Sequence, residues 1–98
     1  MNNVIVINEL DNVGNAVEDI AAGSMAVYFV SDETRSLRAV DEIPFGFKIA
    51  LSEIPSGCDI IKYGEVIGSA GRLILPGELV HVHNVEGKRG RGDLVAEV

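Results

Sequence analysis

The chain has 98 residues, of which 15 are acidic and 8 basic, giving a formal net charge of −7. A chain of this length forms one domain that buries about two thirds of its unfolded surface, with little material left to wall a pocket on every side. The acid surplus excludes binding along a phosphate backbone, where cations supply most of the affinity, and a single cysteine, Cys58, excludes an intrachain disulfide.

The start, Met1-Asn2-Asn3, lacks a cationic leader region, and the apolar run at residues 4–7 is far shorter than the ~20 residues of a membrane span. A cytoplasmic protein with no membrane partner is the expectation. Residues 4–7 read as a strand, and 11–14 as a turn in which Asn12 and Gly14 take positive φ. One or two helical turns compete over residues 14–20. The apolar run at 26–30 predicts a strand buried on both faces, with further strand signals at 38–40 and 48–51.

Three segments each place an aliphatic residue two or three positions before a glycine: Val17-Glu18-Asp19-Ile20-Ala21-Ala22-Gly23, Leu51-Ser52-Glu53-Ile54-Pro55-Ser56-Gly57 and Leu73-Ile74-Leu75-Pro76-Gly77-Glu78. A short helical or 3₁₀ turn that pins its aliphatic residue in the core and ends on a left-handed glycine fits this pattern. Between the second and third of them, Asp59-Ile60-Ile61-Lys62-Tyr63-Gly64-Glu65-Val66-Ile67-Gly68 predicts a hairpin with Gly64 at the bend. The sum is a corner-rich all-β fold. Glu9, Glu18, Asp19, Asp32, Glu33, Asp41 and Glu42 read as a solvated acidic face.

The residues richest in chemistry lie near the C-terminus. Alternation through Leu79-Val80-His81-Val82-His83 predicts a strand with the two valines on one face and both histidines on the other. The two residues would stand about 6.5–7 Å apart along the strand and point the same way, so their imidazoles could share a ligand. The face is open to two readings, a solvated or partner-packed edge, or a site where neutral imidazoles move protons or hold a metal. Lys88, Arg89 and Arg91, interleaved with Gly87, Gly90 and Gly92, read either as a frayed tail or as a clamp for a carboxylate, since the arginine fork binds carboxylates bidentately. Lys48 is a candidate for the same site. Apolar strands with few charges leave self-association into a homo-oligomer open.

Taken in order, Asp11-Asn12-Val13-Gly14, Asp19-Ile20-Ala21-Ala22-Gly23, Ile43-Pro44-Phe45-Gly46, Lys48-Ile49-Ala50-Leu51, Tyr63-Gly64-Glu65-Val66-Ile67-Gly68 and His81-Val82-His83-Asn84-Val85 resemble the SAF-type N-terminal module of the altronate and galactarate dehydratase family. The resemblance implies a β-clip fold over residues 4–86, akin to type III antifreeze proteins, followed by a basic, Gly-rich tail over 87–98. It implies the small subunit of a two-component sugar-acid dehydratase, inactive until joined by a large dehydratase subunit. The alternatives are a sulfolactate sulfo-lyase small subunit and a non-catalytic module that binds a sugar acid or a protein. In the dehydratase reading His81 and His83 are catalytic, while Lys48, Asn84, Arg89 and Arg91 hold the anionic sugar acid. A divalent metal, iron or manganese, would sit on His81 and His83, completed by Glu65, Glu86 or another subunit. This chain departs from the family at Phe47, where relatives usually carry a histidine.

Overall fold

Four turns of one kind set the path of the chain. In each, an isoleucine is followed by a four-residue turn with glycine in third place: Ile20 before 21–24, Ile43 before 44–47, Ile54 before 55–58 and Ile74 before 75–78. Each turn is closed by a backbone bond from its fourth residue to its first, at 3.0 Å for Ser24 to Ala21, Phe47 to Pro44 and Cys58 to Pro55, and 3.1 Å for Glu78 to Leu75. The glycines, Gly23, Gly46, Gly57 and Gly77, have φ of 84 to 90°, the signature of a type II turn. Gly77 is constrained by space as well, because a Cβ there would strike the backbone oxygen of Arg38. The corners are therefore single β-turns, and no helical or 3₁₀ turn forms among the described residues.

The computed structural model describes residues 2–87. Its strands are β1 (Val4–Ile5), β2 (Val13–Ala16), β3 (Met25–Val30), β4 (Glu33–Arg38), β5 (Lys48–Ala50), β6 (Asp59–Lys62), β7 (Glu65–Ala70), β8 (Leu79–Val80) and β9 (Val85–Glu86). They form three antiparallel sheets, in the orders β1-β2-β5-β8, β3-β4 and β6-β7-β9. The chain is all-β, as its residue pattern indicated. The fourth corner, at Ile43, was not singled out in the sequence, yet it gives the fold an internal echo. Ile20 bridges Ile43, and Ile54 bridges Ile74. Each bridged pair closes off one hairpin, β3–β4 or β6–β7. Both hairpins turn through two residues of positive φ, Ser31-Asp32 and Tyr63-Gly64, which matches the twist that paired strands need.

The four-stranded sheet is covered on both faces. Val4, Ala16 and Ile49 join Ile20, Ala26, Tyr28 and Ile43 in one core, while Val13, Ala50 and Val80 join Ile54, Ile60, Ala70 and Ile74 in a second. The bridging isoleucines are all at most 2% exposed, and each such burial stabilises the fold by roughly 1.5–3 kcal/mol. The corners are thus also the core's anchors.

Several expectations are corrected. β3 is buried on one face only, since Met25 and Phe29 are exposed while Ala26, Tyr28 and Val30 are buried. Gly14 lies inside β2 and makes no turn; a Cβ there would come within 2.6 Å of Val4 Cγ1. No helical turn forms over 14–20. Asn12 does structural work of another sort: its amide donates to the Asp59 carbonyl at 2.9 Å and accepts the Ile61 N–H at 2.8 Å, tying the approach to β2 to β6. Part of the acidic face is similarly engaged. Asp19 accepts the Phe45 N–H at 2.8 Å and Asp41 the Leu79 N–H at 2.9 Å, so these carboxylates hold corners in place. Of the tail at 87–98, only Gly87 is described, and Lys88, Arg89 and Arg91 lie outside the described residues.

Candidate functional site

A groove of about 370 Å³ opens where β5 begins and β8 ends, lined by Lys48, Ile67, His81, Val82, Val85 and Gly87. Its position follows from the sheet. Antiparallel pairing sets Lys48 opposite Val80, so the residue that follows Val80, His81, emerges beside the first residue of β5. Apolar side chains supply most of the wall, while one ammonium and one imidazole supply the polar chemistry. In a chain with 15 acidic residues, this groove has no carboxylate among its described lining residues. It is therefore a locally cationic concavity on an anionic body, suited to a small anion.

Lys48 is half-buried. Its ammonium is pushed below the ordinary lysine value of 10.5, first by removal from water and then by repulsion from Lys62. The attraction of an anion entering the groove would offset both effects. His81 is held differently: its ring packs against Phe47, with centroids 4.8 Å apart and planes tilted by 58°. Phe47 itself packs on the first core. One side of the imidazole thus rests on a fixed aromatic wall, which orients the ring.

The local backbone departs from the expected histidine strand. β8 ends at Val80, and residues 81–84 form a turn in which the Asn84 N–H reaches the His81 carbonyl at 3.0 Å. The cause is Asn84. Its side-chain oxygen accepts the His81 N–H at 3.0 Å and its amide nitrogen donates to the Leu79 carbonyl at 2.8 Å, bending the chain back on itself. Val80 and Val82, expected on one face, are 0% and 80% exposed. His81 lines the groove, and His83 is not among the lining residues. Asn84, expected to bind substrate, is 1% exposed and has its amide committed to the turn.

The metal expectation meets a similar obstacle. Among the described residues, no three histidine, cysteine, aspartate or glutamate side chains are grouped to hold an ion. The His81 ring is packed against Phe47, and the neighbouring charge is the Lys48 ammonium, which repels a cation. The described residues do not by themselves fit a divalent metal. Glu65 and Glu86 do not line the groove either.

A second cavity, of about 200 Å³, lies between Asp11, Tyr28, Arg35 and Ser52. Its charged groups are already engaged. Asp11 accepts the Asn8 and Gly64 N–H groups at 3.1 and 2.7 Å, and Arg35 is paired with Glu33 at 2.7 Å. Two features of the first site are invisible in the chain's local pattern: Phe47 as the wall of His81, and Asn15 opposite Lys48. Both depend on register across the sheet, which spacing along the chain does not reveal.

The described residues thus form an all-β module whose groove sets Lys48 and His81 among apolar side chains. Residues 2–88 match the family of altronate/galactarate dehydratase SAF domains. The chain belongs to that family. It is 38% identical over 88 residues to the (2R)-sulfolactate sulfo-lyase subunit alpha of Chromohalobacter salexigens, an alignment covering 86% of this chain and 94% of that subunit. It is 41% identical over 87 residues to the altronate dehydratase of Bacillus subtilis, covering 88% of this chain but 16% of the enzyme. The altronate dehydratase of Escherichia coli is 41% identical over 80 residues, covering 82% of this chain and 15% of that protein. Against the sulfo-lyase subunit the chain spans nearly the whole length, and against the dehydratases about a sixth. Among the described residues, no helix is long and apolar enough to cross a membrane.

Proposed function

We propose that this chain is the small subunit of a two-component cytoplasmic lyase that eliminates water from a sugar acid of the altronate or galactarate type, working with a separate large dehydratase subunit. The observation that carries this reading is the groove lined by both Lys48 and His81, with no carboxylate among its described lining residues. In such an elimination a base removes the proton α to the substrate carboxylate, the C–O bond at the β-carbon breaks, and an acid protonates the departing hydroxyl. The resulting enol tautomerises to the 2-oxo acid. Lys48 neutralises the substrate carboxylate, and this makes the α-proton more acidic. His81, oriented by Phe47, carries a proton to or from the reacting carbons. Val82 at the exposed turn tip and Ile67 on the groove wall provide apolar surface for docking on the large subunit. Residues of the large subunit supply the rest of the site.

A second reading is favoured by one observation: the alignment spans 94% of a sulfo-lyase subunit alpha. There the same two residues act on a substrate whose leaving group is sulfite. Turnover of altronate, galactarate and sulfolactate by the purified chain, alone and mixed with a large dehydratase subunit, tests both. The expected result is no turnover alone and elimination from one of the sugar acids in the mixture. Elimination from sulfolactate only selects the second reading, and full activity of the chain by itself refutes the subunit role.

A further inference from the structure

One row of side chains crosses the four-stranded sheet on the face of the second core. Ile5 stands opposite Asn15, Asn15 opposite Lys48, and Lys48 opposite Val80. Directly opposed residues of antiparallel strands point to the same side with Cβ atoms about 4.5–5.5 Å apart. Asn15 is therefore the cross-strand neighbour of Lys48, the one lysine among the groove's described lining residues. Its Oδ1 atom is buried and has no hydrogen-bond donor among the described residues. A buried acceptor without a donor is costly, and the Lys48 ammonium, a donor with no acceptor among the described residues, stands one strand away.

We propose that Asn15 is a positioning residue for Lys48: its side-chain carbonyl oxygen is the acceptor that draws the Lys48 ammonium back along the sheet, and a carboxylate in the groove competes with it for that ammonium. This rests on the reading of the groove as an anion site. The side-chain stem of Lys48 is long enough to serve both positions by rotamer change. Two other titratable groups bear on the ammonium: Lys62 of β6, which repels it, and His81 across the groove. Neither offers it an anionic partner, which leaves the neutral Asn15 oxygen as the acceptor its own strand pairing provides. Asn15 thus sets how readily Lys48 is released to substrate, and so tunes affinity without touching the ligand.

The test uses the full 98-residue chain carrying ¹³C-labelled lysine. The sequence contains three lysines, Lys48, Lys62 and Lys88, so each Cε signal is assignable by single substitution. Titration is followed in the wild type, Asn15→Asp and Asn15→Val, without ligand and with galactarate. A carboxylate in place of the amide raises the Lys48 midpoint by about one pH unit, and the apolar valine lowers it, while Lys62 stays in place. Galactarate affinity falls about fivefold in Asn15→Asp, the upper end of what a solvent-accessible ion pair is worth. Identical Lys48 midpoints in all three proteins overturn the contact between Asn15 and Lys48. Should either variant fail to fold, Lys48→Met serves instead: the Asn15 side-chain amide resonances shift if the pair is real, and their constancy overturns it. If the midpoints move as expected but galactarate perturbs nothing at Lys48, it is the anion reading of the groove that fails.

Discussion

Replacing Asn84 by alanine removes the device that bends the chain at His81. The side chain makes two part-buried hydrogen bonds, accepting from the His81 N–H at 3.0 Å and donating to the Leu79 carbonyl at 2.8 Å. Each bond is worth about 0.5–1.5 kcal/mol net, and a partner left dry and unpaired adds more, so the expected loss is about 2–4 kcal/mol. That is a large share of the roughly 5–15 kcal/mol that stabilises a small domain. With each kcal/mol worth about 4–8 °C in a chain of this size, the melting temperature should fall by at least ~8 °C. Urea unfolding by circular dichroism measures the same quantity, with an unchanged m-value as evidence that the folded state has not loosened. Asn84→Asp keeps the acceptor and loses the donor, and should fall between wild type and alanine. A loss below about 0.5 kcal/mol for Asn84→Ala, the size of an ordinary surface change, would refute the claim that this amide builds the turn.

Other outcomes follow from the same geometry. Gly77→Ala should cost about 3 kcal/mol, because left-handed strain adds to a collision with the Arg38 carbonyl; Gly57→Ala, with nothing within 4 Å of the new Cβ, should cost only about 1–2 kcal/mol, and equal losses in chemical denaturation would contradict the corner packing. Lys48 has a folded-state value below its unfolded one, so its burial disfavours folding while it is charged in both states, and the penalty fades as pH rises through the folded value toward 10.5. Lys48→Gln should accordingly melt higher than wild type at neutral pH, with the gap closing in alkali; a gap independent of pH would refute the desolvation of this ammonium. Phe47→Leu keeps the apolar packing but removes the ring beside His81, so the ring-current displacement of the His81 proton resonances should vanish, and its persistence would show that the two rings do not stack in solution.

Much of the fold is legible in the chain because its corners are chemically explicit. An isoleucine followed three residues later by glycine marks every one of the four turns, and Tyr63-Gly64 marks a hairpin. The corners read as helical because an aliphatic-to-glycine spacing suits a helix end as well as a type II turn, and only the closing hydrogen bonds distinguish them. Alternation in β3 was obscured by Met25, Val27 and Phe29, apolar residues on the side away from the core. The candidate site was legible in part. Alternation singles out His81 together with His83, with Lys48 as a candidate for the same site, and Lys48 and His81 do line one groove. The pairing of His81 with His83 depended on alternation continuing past Val80, and the long-range reach of one asparagine amide stopped it. Asn15 and Phe47 gain their meaning from strand register, which no local pattern encodes.

The most direct test of the account is the turnover of the two-chain enzyme assembled with His81→Gln or Lys48→Met in this subunit, each checked for unchanged binding to the large subunit. Loss of a positioned proton carrier lowers kcat by about 10²–10⁴-fold, so His81→Gln should reduce kcat by that order, while Lys48→Met should chiefly raise KM for the sugar acid. Wild-type kinetics in both variants would contradict the claim that this groove forms part of the active site.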